Sequence, residues 1–142
     1  MDFRTAQKNA AVVNQIVDVY RLSRNDVASD EISDLEKQNL WDSQQSVLEQ
    51  ILDKCSLIDL KVIYAIASIG YYERGVRHRY LNNGNESVEI IEMAITENEE
   101  KLLSKHSKYI AFLSEQELRE QLLARIDMSQ DLIEGLKIIK LN

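Results

Sequence analysis

LIDLKVIYAIASIGYYERGVRHR, residues 57 to 79, is the stretch whose reading decides the fold. From Val62 to Tyr72 each residue is apolar, aromatic or small, so a helix there has no polar face to turn to water. A helix that is apolar all round belongs in a core or in a membrane. This run is far shorter than the roughly 20 residues that span a bilayer. It therefore reads as the buried central helix, 57–74, of an all-α, single-domain bundle of five to seven helices covering residues 1–142. Ser56-Leu57-Ile58-Asp59 is a capping box in front of it: the Ser hydroxyl takes a free amide, and the carboxylate reaches back. Gly70 falls inside the helix, where glycine costs about 1 kcal/mol relative to alanine. A close crossing by another helix would account for that cost.

Composition agrees with a helical chain. Proline is absent from the 142 residues, where average usage predicts about seven. Only four glycines occur, and sheet-rich or loop-rich proteins need both residues at their turns. The single cysteine, Cys55, excludes an internal disulfide and suits a reducing compartment. The N-terminal residues show no basic start leading into an apolar core, so cytoplasmic residence without a membrane span is expected. The net charge of −7 is uneven: −4 over residues 1–55, +2 over 56–81 and −5 over 82–142. The one positive stretch directly follows the central helix.

Outward from that helix, Phe3, Ala6, Ala10, Val13, Val17 and Tyr20 repeat at alternating spacings of three and four. Val12, Ile16 and Val19 widen the stripe, which predicts packing against more than one neighbour and offers a surface for a homodimer. Asp2 stands where an N-cap would. Ser23 to Asp30 reads as a polar loop. Glu31 to Lys54 reads as one kinked helix or two, with Trp41 as a core anchor at the join. Gly75 stands where a left-handed C-terminal cap would, and Asn82-Asn83-Gly84 reads as a stop. Asn85 is expected to cap a helix with Val88, Ile91, Ile95, Leu102 and His106 on its inner face. Ser114 to Glu117 forms a second capping box, opening a helix through Leu118, Leu122 and Ile126. A final helix carries Leu132, Ile133, Leu136 and Ile139.

Few residues gather into chemistry-bearing patterns. Cys55, His78 and His106 stand singly, so neither a metal site nor a cofactor is expected. Acidic pairs at i, i+3 (Glu86/Glu89, Glu89/Glu92, Glu97/Glu100) lack the Glu-x-x-His partner of di-metal bundles and read as a solvated helix face. Cys55 lies on an apolar face that raises a thiol pKa and leaves it inert. The glycines at 70, 75, 84 and 135 form no phosphate loop. An enzyme is not expected, since nothing meets the requirements of a catalytic site.

The segment 119–139 mimics a helix-turn-helix pattern, but its second helix carries Asp131 and Glu134 against Lys137, and phosphates would repel it. The remaining candidate surface is Tyr71, Tyr72, Arg74, Arg77, His78 and Arg79. Positive charge beside aromatic rings suits single-stranded nucleic acid, and Arg with Tyr is equally the signature of protein-binding patches. Pairing of these arginines with acids on neighbouring helices is the plainer alternative.

In order, VVNQIVDVY (12–20), LIDLKVIYAIASIGYYERG (57–75) and LREQLLARIDMSQDLIEGL (118–136) resemble an uncharacterised bacterial all-helical domain family, a domain of unknown function. In that family a central helix ends in a Gly-Arg-Gly-like sequence and a Leu-rich helix closes the domain. Gly70 to Gly75 here is longer than that pattern. The resemblance implies a helical fold and a bacterial or phage source, and assigns no activity. The expectation is thus a small acidic helical protein acting as a protein–protein interaction or regulatory module, with nucleic-acid binding through Arg74–Arg79 as the alternative.

Overall fold

A computed structural model describes residues 2–27, 33–74, 77–82, 88–93, 97–124 and 128–142, with no side-chain detail for 22–27, 77–82 and 88–93. Among the described residues six helices form the bundle: α1 (Phe3–Val27), α2 (Asp34–Asp53), α3 (Leu57–Glu73), α4 (Glu99–Lys108), α5 (Glu115–Ala124) and α6 (Ser129–Ile138). The central position of α3 follows from its composition. Leu60, Val62, Ile63, Ala65, Ile66, Ala67 and Ile69 are all sealed from solvent. It packs most extensively on α6 and also touches α4, α1 and α5. Among the described residues no helix is long and apolar enough to cross a membrane.

The start of α3 is set by the expected capping box. Asp59 N–H donates to Ser56 Oγ (3.2 Å), and Ser56 N–H donates to Asp59 Oδ2 (3.0 Å). Buried Asn9 adds a long-range tie by donating to Asp59 Oδ1 (3.0 Å) and to the Thr5 carbonyl (2.9 Å). These hydrogen bonds, that from Asn9 foremost, hold the Asp59 carboxyl below its usual range. Gly70 meets the expected close crossing: a Cβ there would collide with the backbone carbonyl of Asp131 on α6. Gly135 reciprocates, facing the Ile66 carbonyl with no room for a Cβ. Two glycines, one on each helix, let the backbones touch.

Much of the wide stripe of α1 packs within the chain, with Phe3, Ala10, Val12 and Val19 partly buried. Ala6, Val13, Ile16, Val17 and Tyr20 are buried, and the helix packs on α2, α3 and α6. Asp2 caps it, accepting from Thr5 N–H at 3.0 Å. Helix α1 runs on to Val27, so Ser23–Val27 is helix and not loop. Polar residues without Gly or Pro do not stop a helix. Ala28 to Asp30 lie outside the described residues. Within 31–55 the described residues hold one unbroken helix, α2 (Asp34–Asp53), capped by Ser33, with Trp41 half-buried on its side and not at a join; Glu31 and Ile32 lie outside the described residues.

The largest departure lies between α3 and α4. Residues expected to form a helix from Asn85 instead include a strand, β2 (Val88–Met93), antiparallel to β1 (Arg77–Asn82). The register sets Arg77 against Met93, His78 against Glu92 and Arg79 against Ile91. Val88, Ile91, Glu89 and Glu92 therefore sit on β2 and not on a helix face. Gly75, Asn85, Glu86, Ile95 and Ile126 lie outside the described residues. Helix α4 begins only at Glu99, where Asn98 accepts from Lys101 N–H (2.9 Å), and Leu102 and His106 are buried as expected. Half of the second capping box forms, with Ser114 Oγ accepting from Glu117 N–H at 3.2 Å. In α6, Leu132, Leu136 and the following Ile139 face the core.

Candidate functional site

Helix α3 surfaces at its last turn, and there the polar chemistry begins. Glu73 is buried, with 4 % of its surface exposed. It falls seven residues after Ile66, on the same buried stripe of α3. A carboxylate in such a position requires partners. It finds them on α4, where Lys105 Nζ donates to Glu73 Oε1 at 2.7 Å and His106 Nε2 approaches the same oxygen at 3.1 Å. Lys105 also lies 3.9 Å from Glu97. His106 is itself buried, and its Nδ1 has no hydrogen-bond partner among the described residues.

Above this cluster lies a groove of about 730 Å³ between α3 and the α4–α5 connection. Tyr64, Ser68 and Tyr72 recur at intervals of four and line it from α3. Tyr109, Ile110, Phe112 and Leu113 line it from the turn after α4. Within that turn only Ile110 is buried, while Tyr109 and Phe112 are 65 % and 81 % exposed. Tyr72, 72 % exposed, lies nearly parallel to the His106 ring (27°, centroids 6.2 Å apart), and Tyr109 meets the same ring nearer edge-on at 6.1 Å. Several large exposed aromatics gathered around one concavity make it the candidate binding surface of the described residues.

The six residues singled out in the sequence divide. Tyr71, Tyr72 and Arg74 stand together at the end of α3, with the two tyrosine rings edge to face at 4.9 Å. Arg74 lies over the Tyr71 ring (5.5 Å) and 3.5 Å from Asp131 Oδ1, so it pairs with an acid on a neighbouring helix. Arg77, His78 and Arg79 lie on β1, where only the backbone is described. Of Tyr71, Tyr72 and Arg74, Tyr72 lines the groove. Sequence reasoning missed Glu73, Lys105, Tyr109 and Phe112. The signal that was present is a charge, Glu73, on the inner stripe of an apolar helix.

Elsewhere, Cys55 is buried after α2 and its thiol donates weakly to the Ile51 carbonyl at 3.5 Å. Burial, reinforced by the nearby Asp59 charge, pushes this thiol up, as expected for an inert cysteine. Among the described residues no three His, Cys, Asp or Glu side chains converge as metal ligands would. Comparison with models of known protein families, with curated proteins and with solved structures finds no match.

Proposed function

We propose that the protein is an interaction module that docks a protein partner across the aromatic rim of the α3–α4 groove. The observation that carries this reading is the exposure of Tyr72, Tyr109 and Phe112 around one concavity. Aromatic anchors beside a pocket are where binding energy concentrates in protein interfaces. Tyr71 and Arg74 extend the patch around the end of α3. Binding of nucleic acid gains less support, because Arg74 is drawn onto Asp131 and the chain is acidic overall. Cytoplasmic residence belongs to the same reading and rests on the lone, buried Cys55.

The test is photocrosslinking in the native host, with p-benzoylphenylalanine at position 112 and, as a control, at exposed Glu49 on α2. A discrete protein adduct from position 112, absent from position 49 and lost on Tyr109→Ala, is expected. An adduct with a second copy of this chain would make the partner a homodimer mate. Adducts with nucleic acid alone, or none specific to position 112, would overturn the reading.

A further inference from the structure

Lys101, Lys105 and Lys108 stand at spacings of four and three on α4, and all three are exposed. With Asn98, Glu100 and Ser104 they line a shallow recess along that helix. Lys105 also lines the α3–α4 groove, so recess and groove adjoin. Of the three, Lys105 is already engaged, with Glu73 at 2.7 Å and Glu97 at 3.9 Å. Lys101 and Lys108 have no ion-pair partner among the described residues. The chain holds 24 acidic residues against 17 basic ones, so the two are not left unpaired for want of acids. The row also destabilises its helix, because like charges three and four residues apart repel. Lys108 suits the C-terminal end of α4, but Lys101 sits in the first turn, where the positive end of a helix disfavours a cation.

We infer that the protein partner brings an acidic segment to this recess, with carboxylates that meet Lys101 and Lys108. The inference rests on the partner reading and adds the partner's chemistry to it, from residues that the reading does not use. Seven residues of helix set the two lysines about 10 Å apart, which is also the spacing of carboxylates two turns apart on one face of a partner helix. Charges placed beside apolar anchors select the partner and speed its approach. Nucleic acid fits the recess less well. Glu100 lines it too, and a strand charged at every nucleotide cannot avoid that carboxylate, whereas a peptide can place its acids on the lysines alone.

The experiment uses the whole chain with p-benzoylphenylalanine at position 112 in an extract of the native host. Photocrosslinking is followed by a carbodiimide, which joins a lysine amine to a carboxylate in contact with it. Mass spectrometry of the adduct is expected to find Lys101 and Lys108 bonded to Asp or Glu of the captured protein, and Lys37, exposed on α2, bonded to none. Lys101→Glu and Lys108→Glu should each lower the adduct yield roughly fivefold, with Lys37→Glu leaving it unchanged. Glutamate suits a first turn better than lysine does, so an adduct lost on Lys101→Glu is not a lost fold. A protein adduct without a carbodiimide bond at Lys101 or Lys108, or one indifferent to both reversals, would overturn the inference and leave the partner reading standing. Equal loss on Lys37→Glu would reduce the effect to net charge and overturn it as well. No protein adduct from position 112, or nucleic acid alone, would overturn both.

Discussion

On one flank of α3, Gly70 lets α6 approach until backbone meets backbone; on the other, two and three residues further along, Tyr72 and Glu73 face α4 across an open groove. The first contact leaves no room for a methyl group. The second holds a buried carboxylate, a lysine, a histidine and exposed rings. One helix thus gives its stability to one neighbour and its chemistry to another. The difference comes from side-chain size: removing it at position 70 closes one crossing, whereas bulky rings at 64 and 72 line the other.

The strongest way to break this contrast is Gly70→Ala. Helix propensity alone would make the change stabilising by about 1 kcal/mol. The new methyl, however, would meet the Asp131 carbonyl, which is backbone and has no rotamer to escape into. Helices α3 and α6 would have to separate, loosening Ile66, Ile69, Leu132 and Leu136. A net loss of about 3 kcal/mol or more is expected, read as a lower urea midpoint. An unchanged midpoint would mean that the crossing is not close.

Glu73→Ala comes next. It removes the acceptor of Lys105 and of His106 Nε2 together. Lys105 is partly exposed and can turn to water, but buried His106 is left with a second unpaired nitrogen. A loss of about 2 kcal/mol is expected. Lys105→Ala should cost less, because an exposed partner contributes little.

Much of the first flank was legible in the sequence, and little of the second. The all-apolar run 62–72, the Ser56–Asp59 box and the odd glycine at 70 each obey a local rule, so each pointed to its structural role. The hairpin was missed although its signal was present. Asn83-Gly84, outside the described residues, is a turn signal, but it also reads as a helix stop, because VEIIEM fits a helical spacing through Val88 and Ile91, and short apolar runs are ambiguous. The groove was harder still. Glu73 and His106 are 33 residues apart and meet only because α4 folds back along α3. The apolar turn YIAFL (109–113) gives no sign in its spacing of which residues face out: it buries Ile110 and exposes Tyr109 and Phe112.

A smaller effect belongs to the N-terminal end of α3. Ser56→Ala should cost about 1 kcal/mol through loss of the cap. Asp59 adds a dependence on pH. Its folded carboxyl lies below the usual range because Asn9 and Ser56 N–H hold the charged form. Its contribution is therefore complete above the unfolded carboxylate range and is lost as pH falls through the lower folded value. The difference in urea midpoint between wild type and Asp59→Asn should be largest near pH 7 and shrink on acidification towards pH 3. A difference that holds constant would place the stabilisation elsewhere.

The smallest effect on stability is expected from Phe112→Ala, and this prediction separates the two flanks most cleanly. The ring is 81 % exposed, so its removal takes little apolar surface out of the core. Surface changes of this kind usually fall within about 0.5 kcal/mol. The urea midpoint should therefore hardly move, whereas Gly70→Ala lowers it strongly. Occupancy of the groove should respond in the opposite sense, because Phe112 forms its wall and adds nothing to the α3–α6 crossing. If Phe112→Ala instead unfolds the protein, the turn after α4 is part of the core, and the exposed rings lose their claim to be a binding surface.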